Sequence, residues 1–375
     1  MISFVASIFL LILGYFVYGS IVDRAFGPNE DNKMPCVTRR DDVDYTPMPL
    51  WKVFLIQFLN IAGTGPIFGA ILGILYGPAA FVWIVFGSIF AGAVHDYMAG
   101  MISVRLDGAS LPDIVGSQMG RNMKVVMCVF ALVLLVLVGT VFTVTSADLM
   151  FHLTNDFSWS SQGMWLVVIA IYFILATVFP IDSIIGHLYP IFGFAMLVMA
   201  VGVLGGIFLQ PGSIPEETDG IASCHPQGLP VFPMMCVTIA CGAISGFHAT
   251  QSPLMARCIK NECHGRKVFY GSMITEGIVA LIWAAAAIKF AGGYTELADM
   301  GTPAVVVNKI CSSWMGALGA ALAVLGVILA PITSGDTAFR SARLIVADFV
   351  KLNQAKVAKR ILLSIPLFAC AALLL

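Results

Sequence analysis

The chain has 375 residues, of which 59% are hydrophobic and 11% charged, with a formal net charge of −1. A soluble domain carries about 25% charged residues, so the composition excludes an ordinary soluble protein, and the neutral balance excludes a nucleic-acid footprint. There are nine cysteines but no CxxC pair or Cys/His ligand spacing; Cys258, Cys263 and His264 only share a loop, so no metal site is expected.

A membrane-spanning helix needs about twenty apolar residues. In chain order the candidates run over 2–20, 53–76, 79–104, 123–151, 163–180, 187–209, 232–254, 268–290 and 315–337. A tenth apolar segment opens at 361 and reaches Leu375, short for a span, so the parent protein is expected to continue. The first segment has no basic leader and no small-residue cleavage site, which predicts a retained helix rather than a signal peptide. The pattern is that of an all-α integral membrane protein. With the N-terminus outside, only Lys289 and Lys309 of the twenty basic residues fall on the outer side. That asymmetry obeys the positive-inside rule and supports the count of spans. The acidic, Pro-rich stretch 210–231 then lies outside.

Two of these spans are broken. The second is interrupted by Gly63-Thr64-Gly65-Pro66 and the seventh by Ser245-Gly246-Phe247-His248, followed by Gln251-Ser252-Pro253. Lipid cannot hydrogen-bond a freed backbone group, so an interrupted span must be satisfied by protein or by what it binds. The broken spans are five apart and therefore cross in opposite directions. This predicts inverted five-helix repeats over 53–209 and 232–375, the second incomplete, with 1–20 as a peripheral helix. Inverted repeats with discontinuous first helices are the LeuT-like architecture, whose substrate site lies at the breaks. Gly63 and Gly65 tolerate unusual backbone angles and Pro66 has no N–H. Unwinding there frees carbonyls for a cation and half-helix N-termini for a carboxylate. Ser245 and Gly246 offer the same on the seventh span, with Phe247, His248 and Gln251 placed to line a pocket. A packing kink is the alternative reading of either break taken alone.

Ionisable residues at membrane depth are rare and tend to be functional. His95 and Asp96 lie about two turns inside the third span, where they either relay a proton or lock the span to a neighbour. His248 follows the second break directly. Glu276 on the eighth span either carries protons or pairs with an Arg or Lys; Asp148 is given no role. The ninth span ends in Ala330-Pro331-Ile332-Thr333-Ser334-Gly335-Asp336. Thr333 and Ser334 offer hydroxyl oxygens to a hard cation, or bond back to their own helix. Asp336 and Arg340 stand at i, i+4 and are expected to pair.

Several strings resemble the carbon starvation protein A family. They are IAGTGP at 61–66, AGAVHDY at 91–97, DGASL at 107–111, SGFHATQSPLMAR at 245–257 and PITSGDTAFR at 331–340. The resemblance covers the second to ninth spans. It implies a multi-pass protein of the bacterial inner membrane that imports peptides or pyruvate on a cation gradient, with protons the expected cation, within the amino-acid/polyamine/organocation superfamily. Ala330, Thr333 and Ser334 match the Ala-x-x-Thr-Ser pattern of sodium-coupled members of that superfamily, which keeps Na⁺ open beside H⁺. Family members carry further C-terminal helices that this sequence lacks.

The combined expectation is a symporter working by alternating access. Its substrate-binding residues are Gly63, Thr64, Gly65, Pro66, Ser245, Gly246, Phe247, His248 and Gln251. His95, Asp96 and His248 are the proton-coupling candidates, and Gly63, Ala330, Thr333 and Ser334 the cation-binding ones. No organic cofactor or catalytic residue is expected: HExxH and GxSxG are absent. The runner-up is a nutrient sensor without net transport, whose basic stretch 335–360 would dock a cytoplasmic partner. Substrate identity, coupling ion and oligomeric state stay open.

Overall fold

In the computed structural model every regular element among the described residues is helical; these residues are 1–62, 65–154, 157–181, 185–215, 223–243, 247–352, 354 and 356–375. The helices are α1 (Ile2–Phe26), α2 (Leu50–Ile61), α3 (Gly65–Tyr76), α4 (Ala79–Arg105), α5 (Leu111–Met119), α6 (Arg121–Thr154), α7 (Gln162–Val178), α8 (Ile185–Leu209), α9 (Cys236–Ala243), α10 (His248–Ala256), α11 (Glu262–Ala291), α12 (Tyr294–Asp299), α13 (Pro303–Val350) and α14 (Val357–Leu374). Seven are long and apolar enough to cross a membrane, or eight if α2 and α3, bent by 54° to one another, form one span. The expected fifth span is the 17-residue α7, and the tenth segment is an 18-residue helix that begins at Val357 rather than 361.

Side-chain placement is that of a protein solvated by lipid. Along α6 the bulky Phe130, Val133, Leu137 and Val141 point outward, while Ala131, Leu135, Thr143 and Ala147 are buried. Small side chains inside and large apolar ones outside allow close helix approach where hydrocarbon gives no hydrophobic drive. The clearest instance joins the two broken spans. A Cβ added to Gly69 of α3 would lie 2.8 Å from the Thr238 carbonyl oxygen of α9, and one added to Gly73 would collide with Ile239. The GxxxG face of α3 therefore packs backbone to backbone on α9.

The ninth span differs from expectation. Thr302 is extended and Pro303 opens α13, where its missing N–H costs nothing. Gly316, at φ 60° and ψ −146°, then breaks the helix in a conformation open to glycine. The second part runs unbroken past 337 to Val350, and Lys351 closes it in the left-handed region. The stretch expected as a basic loop is thus largely helix. Arg340 and Arg343 within it are fully buried; hydropathy cannot register charges that a distant partner neutralises.

Buried side chains form two cores. The larger draws on α1 to α4, α8, α9, α10, α11 and the outer part of α13. The smaller draws on α6, α7, the inner part of α13 and α14, together with Phe247. The helices that flank the breaks pack together: α13 touches both α2 and the first turn of α3, and α10 packs against α2, α4 and α13.

Candidate functional site

Gly63, Thr64, Ser245 and Gly246 lie outside the described residues; the segments flanking them define the site. The helix α2 ends as the Ala62 N–H bonds back to the Phe58 carbonyl, and α3 begins at the buried Gly65 and Pro66 in a wide first turn. Across from it, Phe247 caps α10, with its carbonyl accepting from the Thr250 N–H and hydroxyl.

Phe247 and His248 are neighbours in sequence but face different cores. The Phe247 ring meets Phe142 of α6 edge-on at 6.4 Å. The His248 imidazole is 1% exposed, beside the Ile61 carbonyl at the end of α2, and its Nε2 is 3.8 Å from Glu276 Oε2 of α11. Below it, Asp96 of α4 is fully buried. One Asp96 oxygen accepts from the Ser252 hydroxyl and the other from Gln57 Nε2 at 3.0 Å. Gln57 Nε2 also lies 3.2 Å from Ser252 Oγ, which stands 3.1 Å from the His248 carbonyl. Four elements, α2, α4, α10 and α11, thereby meet in one occluded polar cluster.

His95 and Asp96 do not act as a pair. His95 is exposed and Asp96 buried, because consecutive helical residues point about 100° apart; His95 still lies within electrostatic reach of His248. Glu276 pairs with neither Arg nor Lys: its ionic neighbour is His248. Gln251 binds α10 to α13, its Nε2 lying 3.4 Å from Ser341 Oγ; its Oε1 has no partner among the described residues. Gln57, Asn60 and Ser252 were not singled out in the sequence. Gln57 and Asn60 stand three apart on one face of an apolar helix that leads into the break, a signal that spacing alone could have raised.

On α13, Ala330, Thr333 and Ser334 are buried together. The Thr333 hydroxyl bonds back to the Ala330 carbonyl at 3.0 Å, while Ser334 Oγ has no partner among the described residues. The expected Asp336–Arg340 pair does not form. Asp336 accepts from Tyr172 of α7 at 2.8 Å and from Tyr189 of α8, which lies 2.7 Å from the Thr333 carbonyl. Arg340 turns to Asp44, in the segment ahead of α2, at 2.9 Å. Arg343 joins it there at 2.8 Å. Burial pushes the Asp44 carboxyl up, but Arg343, Arg340 and Arg257 outweigh it and hold the group at about 2.

An all-helical membrane protein whose two interrupted spans meet between two packed cores has a known structural counterpart. MhsT, a LeuT-fold transporter solved with L-phenylalanine, superposes with a TM-score of 0.57 over 85% of this chain and 78% of its own, at 15% identity. The model of the carbon starvation protein CstA family matches residues 1–156 and 149–313, and the chain belongs to that family. An uncharacterized membrane protein of Haemophilus influenzae is 41% identical, over 83% of this chain and 97% of that protein. The peptide transporter CstA of Escherichia coli is 27% identical over 83% of this chain and 54% of its own. The pyruvate/proton symporter BtsT of the same organism is 27% identical over 74% and 47%. The chain thus spans about half the length of these two relatives, which are named as transporters rather than enzymes.

Proposed function

We propose that the protein is a secondary active transporter of the bacterial inner membrane, with its N-terminus outside. It imports a small carboxylate-bearing nutrient, a peptide or pyruvate, by cation symport and alternating access. The observation that carries this reading is the convergence of α2 and α10, which flank the two breaks, on one buried polar cluster that α4 and α11 complete. Substrate sits between 63–66 and 245–248, its carboxylate against the amides around Gly65 and Pro66 and its body against Phe247. Gly63, Thr64, Ser245 and Gly246 complete the pocket, with His248 and Gln251 behind it. The two cores rock against one another about this site, and the repeats 53–209 and 232–375 supply the symmetry for two inverse states.

Coupling is to protons, carried by the group formed by Asp96 and His248 with His95 near it. Ala330, Thr333 and Ser334, with Gly63, form the place for Na⁺ if sodium is used. Relatives named for peptide and for pyruvate/proton transport are consistent with this. The sensor reading keeps only part of its basic stretch, since Arg340 and Arg343 are buried and paired while Lys351, Lys356 and Lys359 are exposed. The test is uptake by proteoliposomes under an imposed proton or sodium gradient, with labelled pyruvate and a dipeptide as probes. Gradient-dependent accumulation of one probe is expected; accumulation of neither would end the proposal.

A further inference from the structure

Glu276 is a fully buried carboxylic acid to which nothing donates. Neither of its oxygens has a hydrogen-bond partner among the described residues, and the same holds for both ring nitrogens of His248 and both amide atoms of Asn60. Orphaned polar atoms are rare in a native interior, and here two such side chains, Glu276 and His248, stand against each other, with Asn60 and Gln57 Oε1 unpartnered on α2. An ionised carboxylate left without donors in a dry site costs several kcal/mol. Asp96 differs: two donors, Ser252 and Gln57, serve its oxygens. The two acids are close enough to repel each other. Asp96 is thus equipped to be a carboxylate and Glu276 is not.

The charged groups around Glu276 are few. His248 and Asp96 face it, and His95 lies beyond His248. On α11 itself, Arg266 and Lys267 stand about nine to ten residues earlier, ~14 Å along the axis. Lys289 stands at the other end, where Ile207 and Gln210 carbonyls accept its protons. On α2 and α4, Lys52 and Arg105 lie toward the helix ends, Arg105 bonded to Glu262. Of the helices packed on α11, α8 also carries His187 and α13 carries Asp336, which accepts from Tyr172 and Tyr189.

We propose that Glu276, rather than His95, holds the coupled proton, and that His248 passes it toward the break in α2. This rests on the transporter reading and assigns its proton to one side chain. In the transfer the O–H bond at Glu276 Oε2 breaks and an N–H bond forms at His248 Nε2 across the present 3.8 Å gap. The N–H bond at the other ring nitrogen then breaks, and its proton passes to a water molecule entering between α2 and α3, which returns the imidazole to its neutral form. The carboxylate left behind is buried with Asp96 and cannot persist without water or a new proton. Loss of the proton therefore favours the arrangement in which α10 and α2 separate from α11, and its return favours the packed one. Asn60, one residue before Ile61, stands where it can bond whichever form is present.

Two measurements on the whole protein test this. The first needs no substrate: infrared difference spectra of the purified protein are recorded through a pH titration. A band of a buried protonated carboxylic acid is expected in the wild type and is lost in Glu276→Gln; its persistence in Glu276→Gln would overturn the assignment. The second is transport in proteoliposomes with labelled pyruvate and alanyl-alanine. Glu276→Gln imitates the protonated acid, so it should keep counterflow, lose proton-driven accumulation to the level of empty liposomes, and show counterflow independent of pH. Wild-type accumulation in Glu276→Gln, or wild-type accumulation driven by sodium alone, would overturn it. Glu276→Asp keeps the acid on a shorter arm and should recover part of the pH dependence, which separates the role from a folding defect. Absence of counterflow in the wild type would count against the transporter reading, while the infrared band would still decide Glu276.

Discussion

Two groups of charges are buried in this molecule, and they are built on opposite plans. In one, Asp44 meets Arg340 and Arg343, and Arg340 Nη2 donates to the Ala176 and Phe179 carbonyls, while Arg340 Nε and Arg343 Nε and Nη1 have no partner among the described residues. Nearby, Arg257 bonds Asp348 and the Gly108 carbonyl. In the middle, Asp96, His248 and Glu276 stand with several ring, amide and carboxyl atoms unserved. An ion group whose acid and bases are in contact rigidifies what it joins. One without such contact, and with its polar atoms unserved, stores cost unless another state or a bound species relieves it. The first group joins the lead-in of α2 to α13 and to the turn after α7; the second lies beside the end of α2 and the start of α10. Buried charge as such is therefore no guide to function in this chain, whereas the completeness of its charge pairing is.

The largest effect should come from breaking the complete group. Asp44→Ala leaves Arg340 and Arg343 buried without a counter-charge, a change that costs roughly 3–5 kcal/mol. Thermal unfolding in detergent should show it as a large fall in midpoint. The same pairing sets an acid limit. The Asp44 carboxyl is held below its ordinary 3.8, at about 2. A depressed acid contributes stability that is fully present above the unfolded value and is lost as pH falls through the folded one. The contribution should thus be constant from neutrality to about pH 5 and fade between about pH 4 and 2. Asp44→Ala should abolish that part of the acid dependence, and an unchanged acid transition would show the pairing to be weak.

Asp96→Asn probes the incomplete group and should do the reverse, with little loss of stability and a large loss of function. Asparagine keeps one oxygen for Ser252. Its new N–H₂ faces Gln57, whose amide can turn to offer the unpartnered Oε1. The expected cost is about 1 kcal/mol or less. Proton-driven uptake should fail while substrate binding, followed by protection against thermal unfolding, survives. Loss of binding together with uptake would place Asp96 in the substrate pocket instead.

The same contrast explains what the sequence disclosed. The two breaks were legible because Gly and Pro in a long apolar run contradict its length; helix stops at Ile61 and Ala243 and resumes at Gly65 and His248. The polar residues at membrane depth were legible as a set, since bilayer cost makes each one conspicuous. Their pairings were not. Asp336 and Arg340 have helical spacing, yet each found a better partner on another element: two tyrosines from α7 and α8, and Asp44 from a loop nearly 300 residues away. Local spacing predicts a pair only when nothing distant competes. The inner limit of α13 escaped for the same reason: Arg340 and Arg343 read as the onset of a loop when their charges are counted without Asp44.

The smallest expected change in stability tests the hydroxyls of α13, where both plans occur side by side. The Thr333 hydroxyl is committed to the Ala330 carbonyl, whereas Ser334 Oγ is buried without a partner among the described residues. Removing an unserved polar atom relieves desolvation cost, so Ser334→Ala should leave thermal stability within about 0.5 kcal/mol of the wild type or slightly raise it. A cation held there would gain an oxygen ligand from Ser334, as hard cations require. If sodium contributes to the driving force, Ser334→Ala should raise the sodium concentration needed for half-maximal uptake and leave proton-driven uptake alone. If only protons are used, both should be unchanged. A loss of proton-driven uptake in Ser334→Ala would join the two sites, and the separation between the Ser334 hydroxyl and the Glu276 cluster would fail.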